Sequence, residues 1–113
     1  MAKRIEKVNS LLQEEISKII FREIDFGETL VTITNVQTNK NLLEGEILIT
    51  VFPQKDEEKI LKILKNNIYD IQKILNKKLE MRPVPKIHFK IDEGVKNLYK
   101  IDEISKRNIN YDK

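Results

Sequence analysis

The chain has 113 residues, 40% of them hydrophobic and none of them cysteine. That is one domain's worth of sequence, able to bury about two thirds of its unfolded surface; a disulfide framework, a thiolate metal site and a cysteine nucleophile are excluded. Net charge is +3, with a pI near 9.0, a mild preference for anionic partners. The N-terminus MAKRIEKVNS carries no apolar secretory segment. No apolar run approaches the ~18–20 residues of a membrane span, so a cytoplasmic protein without membrane contact is expected.

The first predicted element spans about Lys3 to Phe21. Ile5, Val8, Leu12, Ile16, Ile19 and Ile20 recur at three- and four-residue steps, the pattern of an amphipathic helix. It ends near Asp25-Phe26-Gly27. Thr29 to Thr38 is β-branched and reads as a strand. Val31 and Ile33 share a face while Val36 has the opposite parity, so a bulge is expected near Thr34-Asn35. Asn39-Lys40-Asn41 is a turn signal. Glu46 to Phe52 is a second strand with Ile47, Ile49 and Val51 on one face, and an antiparallel pair is the natural arrangement. Pro53 ends it, and Asp56 is placed to cap a helix. The stripe Ile60, Leu64, Ile68, Ile71, Leu75, Leu79 fits one long helix or two helices meeting at Asn66-Asn67. Arg82-Pro83-Val84-Pro85 stops it. Lys86 to Asp92 alternates as a third strand, with Ile87, Phe89 and Ile91 inward and Lys86, His88 and Lys90 outward. A short helix is expected after Gly94, and residues 108–113 as a frayed tail. The sum is a single α+β domain over residues 1–107, a three-stranded sheet with helices packed on one face.

Charge is segregated along the chain. Between Lys73 and Lys90 stand six cations (Lys73, Lys77, Lys78, Arg82, Lys86, Lys90) and one anion, Glu80. This segment is more positive than the whole protein, which is what an electrostatic docking face requires. Lys3, Arg4 and Lys7 could add a second contact, or be a charged terminus. His88, between Ile87 and Phe89, is expected on the outer strand face beside two lysines, whereas general acid–base work needs a partner within hydrogen-bond reach and a cleft. Glu14-Glu15 and Glu57-Glu58 are adjacent pairs, which diverge on a helix. No metal-ligand spacing, P-loop, nucleophile elbow or dinucleotide fingerprint occurs. No cofactor is expected, nor enzymatic activity.

The order α-β-β-α-α-β is that of the type II KH fold. Ordinary KH domains clamp a nucleic-acid backbone with a GxxG loop, but Gly27, Gly45 and Gly94 all lie outside the helical pair. The sequence resembles the ribosome-binding factor A family over most of its length. The resemblance rests on Arg4-Ile5 through Ile16-Ser17-Lys18-Ile19-Ile20, on Val31-Thr32-Ile33-Thr34-Asn35-Val36, and on Asn39-Lys40-Asn41-Leu42 leading to Ile47-Leu48-Ile49-Thr50-Val51. Its best anchor is Ile74-Leu75-Asn76-Lys77-Lys78-Leu79, then Met81-Arg82-Pro83-Val84-Pro85-Lys86-Ile87, Phe89 and Asp92. Lys100-Ile101-Asp102-Glu103-Ile104 resembles the family's last helix. The sequence departs from the family at Asn67-Ile68-Tyr69, where Ala-x-Gly is usual and a gentler bend is therefore expected. It departs also at Asn41 (usually Asp) and Gly45 (usually Ala), and it lacks the long C-terminal extension of some members.

The resemblance implies function by binding. Members associate with the free small ribosomal subunit, promote late maturation of its 16S rRNA including 5′-end processing, support growth in the cold, and are not nucleases. The expected partners are the small subunit and its rRNA, met by a monomer. The expected RNA contacts are Lys73, Lys77, Lys78, Arg82, Lys86 and Lys90, with Lys3, Arg4 and Lys7. Asn67 and Tyr69 sit where KH proteins place their clamp. The rival reading is a protein-interaction module on the same frame, without RNA contact.

Overall fold

The computed structural model describes residues 2–94. Helix α1 (Ala2–Glu23) is followed by β1 (Leu30–Thr38), β2 (Glu44–Phe52), a 3-10 turn (Gln54–Asp56), α2 (Glu57–Asn66), α3 (Ile68–Lys78) and β3 (Lys86–Ile91). The expected C-terminal helix and the frayed tail lie outside the described residues. Within those residues no helix is long and apolar enough to cross a membrane.

The sheet order is β1-β2-β3. β1 and β2 are antiparallel, as their closeness in sequence suggests. β3 joins the other side of β2 in parallel, because the α2–α3 segment carries the chain back along the sheet before β3 begins. The expected bulge is present: the register slips between Ile33 and Asn35. The extra residue lets Ile33 and Val36, of opposite parity, both enter the core. Thr34, the bulged residue, donates its hydroxyl to the Asp92 carboxylate at 2.5 Å, tying β1 to the end of β3 across the central strand.

Helices α1, α2 and α3 cover one face. Leu12, Ile16 and Ile19 of α1, Ile60 and Leu64 of α2, and Ile71 and Leu75 of α3 are buried against Ile47 and Ile49 of β2 and Ile87 of β3. Truncating one such side chain to Ala costs about 2–5 kcal/mol.

The apolar stripe takes the second of its two expected forms, two helices that meet at Asn67 (φ −103°, ψ 4°). Asn67 donates its side-chain amide to the Ile63 carbonyl at 2.8 Å, an oxygen that also accepts the Asn67 backbone N–H at 3.1 Å. Two other details differ from expectation. Asp56 occupies the N-cap position of α2 but makes no capping bond; its carboxylate accepts the Thr29 hydroxyl at 2.8 Å. Helix α3 ends at Lys78, well before Pro83. Leu79 is already extended (ψ 138°) and turns its side chain into the core, so burial of Leu79, not proline, ends the helix.

Candidate nucleic-acid interface

Ile71 and Leu75 fix the orientation of α3 by facing the core. At about 100° per residue, Tyr69, Lys73 and Lys77 then form the outermost line of the helix, one turn apart. All three are exposed, Tyr69 at 76%. Lys78 is exposed too, at the helix end, but lies about 100° around from Lys77 and off this line. An aromatic ring beside two ammonium groups can stack on an unpaired base while the cations meet phosphates. Asn67, the N-cap of α3, is half-buried off this line and gives one of its two amide hydrogens to Ile63.

Two polar residues hold this helix in place. The Gln72 amide donates to the Pro85 carbonyl at 3.0 Å and accepts the Ile87 N–H at 2.9 Å, clipping α3 to the start of β3. Sequence reasoning missed Gln72, whose only signal was a polar residue next to the buried Ile71. Arg82 donates to the carbonyls of Leu79 and Met81, each at 2.7 Å. It therefore closes the turn after α3 as well as adding charge there.

Lys86 and Lys90 do not join the α3 line. Ile87 and Ile91 point into the helix-covered face, so Lys86, His88 and Lys90 occupy the opposite face of the sheet. They are exposed there, but exposure does not extend the patch. Lys86 lies beside Glu44 and His88 beside Glu46 on β2, and His88 Nε2 is 3.4 Å from a Glu44 carboxylate oxygen. The neighbouring carboxylates offset the strand's positive charge. The described residues contain no group of three or more His, Cys, Asp or Glu residues able to hold a metal ion.

The ends of the domain differ in sign. α1 runs antiparallel to β1, since Asn9 accepts the Thr38 hydroxyl at 2.8 Å and Gln13 reaches the Ile33 carbonyl at 3.4 Å. Its first turns, with Lys3, Arg4 and Lys7, thus point to the same end of the sheet as the β1–β2 turn and the start of β3. The Gln72 clip brings the C-terminus of α3, with Lys77 and Lys78, to that end as well. At the other end gather Glu23, Asp25, Glu28, Asp56, Glu57 and Glu58 against Arg22, Lys55 and Lys59. A basic end built from α1 and α3 faces away from an acidic one.

The sequence signature described as ribosome-binding factor A matches residues 4–105. Ribosome-binding factor A of Pseudomonas aeruginosa UCBPP-PA14 is 33% identical over 82% of this chain and 75% of its own. That of Pseudomonas paraeruginosa is 29% identical over 97% of this chain and 89% of its own. The crystal structure of ribosome-binding factor A from Thermus thermophilus superposes with a TM-score of 0.68 at 20% identity, covering 77% of this chain and 94% of that one. A Thermus thermophilus homology model fitted into the cryo-EM map of a 30S–RbfA complex gives 0.61 at 21% identity, over 73% and 88%. With the family signature spanning most of its length, the chain belongs to the ribosome-binding factor A family.

Proposed function

We propose that this chain is a non-catalytic ribosome-assembly factor. It binds the free small (30S) subunit in the cytoplasm through rRNA phosphates and promotes late maturation of 16S rRNA, with a role in cold adaptation. The observation that carries this reading is the exposed Tyr69–Lys73–Lys77 line on α3, running toward the basic end that also holds Lys78, Arg82, Lys3, Arg4 and Lys7. Phosphate contacts from such a surface give affinity and register without sequence readout. Family membership supports it, and the 30S complex of the Thermus relative is consistent with it.

Sedimentation of lysate through a sucrose gradient tests the reading. The protein should co-migrate with free small subunits and not with translating ribosomes. Lys77→Glu with Lys78→Glu should shift it to the top of the gradient with its fold intact by circular dichroism. Wild-type protein found only at the top, at low salt and after cold shock, would refute the assignment.

A further inference from the structure

The acidic end of the domain carries an open groove of about 630 Å³ between the second half of α1 and the first half of β1. Ile20, Phe21, Ile24, Phe26, Leu30 and Val31 are among its lining residues. Phe21 is 88% exposed at the groove, and an apolar groove with a large ring left in water on its wall marks an interaction surface. Leu30 and its cross-strand neighbour Phe52, 63% and 72% exposed, alternate to the opposite, uncovered face of the sheet.

Among the described residues β1 is an edge strand, paired only with β2. The Ile33 carbonyl reaches away from β2 to Gln13 on α1. Strand alternation therefore turns the Val31 N–H and C=O to the same outer side, toward the groove. Open backbone groups beside apolar pockets are the components of recognition by strand addition.

The surrounding charges select the occupant. The Lys18 ammonium is held by Glu14 at 3.2 Å and Glu15 at 3.9 Å, and the Arg22 guanidinium by Glu23 at 3.7 Å. Asp25 and Glu28 remain at the mouth without an ion pair among the described residues, with Asp56, Glu57 and Glu58 on the same end. Nucleic acid is repelled here and cationic flanks are attracted.

We propose that the α1–β1 groove docks an extended protein segment in which apolar residues alternate with lysine or arginine, adding as a strand to the free edge of β1. The site is separate from the basic end and does not depend on the ribosomal reading.

The test uses the full chain and a fluorescein-labelled eight-residue peptide of alternating lysine and valine, followed by anisotropy and amide chemical shifts. Saturable binding with shifts centred on Thr29–Ile33 is expected. Phe21→Ser, at an exposed position, should weaken it about tenfold. A peptide with glutamate for lysine, and one N-methylated at alternate residues so that it cannot pair as a strand, should each bind about tenfold more weakly. Lys77→Glu with Lys78→Glu should leave it unchanged. Equal binding of the acidic or N-methylated peptide, shifts confined to other elements, or indifference to Phe21→Ser would overturn the proposal. So would a dimer in sedimentation that Phe21→Ser dissolves, since the occupant would then be a second copy.

Discussion

Two sets of cations lie close together in the chain and end on opposite faces of the molecule. Lys73 and Lys77 stand on the outer line of α3, beside Tyr69. Lys86 and Lys90 follow within a few residues, but on the uncovered face of the sheet, where Glu44 and Glu46 neighbour their strand. A run of positive charge in sequence is thus no measure of a patch in space. The helix presents its cations with one exposed carboxylate, Asp70, a turn from Lys73, and none from the sheet. The strand places Lys86 beside Glu44, and Lys90 beside Leu48 one pair beyond Glu46, so a long anion gains less by approaching them.

The contrast can be broken most severely by removing what orients α3. Leu75→Ala empties a fully buried position and should cost about 2–5 kcal/mol in urea denaturation, with loss of subunit binding at temperatures where the domain loosens. Next in size is Lys73→Glu with Lys77→Glu. If each lysine meets one phosphate, the salt slope of RNA binding should fall by about two and affinity by about ten- to a hundredfold, with stability unchanged. Equal salt slopes for mutant and wild type would remove the α3 line from the interface.

Gln72→Ala sharpens the comparison differently, by leaving the charges and loosening the clip. The Ile87 N–H and Pro85 carbonyl each lose a partner, and a stability loss of about 1–2 kcal/mol is expected. Chemical denaturation reads it, and a change below about 0.3 kcal/mol would mean that water replaces both bonds. The smallest effect belongs to Lys86→Glu with Lys90→Glu. RNA affinity should drop by less than about threefold at physiological salt, because these groups face away from α3 and act only through screened long-range attraction. A loss as large as that of the α3 pair would show that RNA wraps the β3 edge.

Much of the fold was readable from side-chain periodicity. The odd parity of Val36 against Ile33 announced the bulge. The three- and four-residue steps of α1 announced its buried face. The run Asn39-Lys40-Asn41 announced its turn, where the Asn39 carboxamide oxygen accepts the N–H groups of Leu43 and Glu44. The Asn67 break was left open because the apolar stripe continues through it: periodicity reports which side is buried, not whether the backbone stays helical. The end of α3 was placed too late because Leu79 satisfies the stripe from an extended conformation. Gln72 was invisible because its partners are backbone groups of residues 85 and 87, brought near only by the return of the chain.

The sequence by itself determined the order of the described elements, save the choice between one helix and two after β2, together with the apolar faces, the family resemblance and the presence of surplus positive charge, because these depend on residue type and local spacing. Only the tertiary structure decided that β3 lies parallel beside β2, that the surplus charge divides between two faces, and that an acidic end with an apolar groove opposes the basic one. Those facts depend on which segments meet across long stretches of chain. Burial of the apolar faces of α1, α2 and α3 against a single side of the sheet settles that, and the charged residues are carried wherever the burial leaves them.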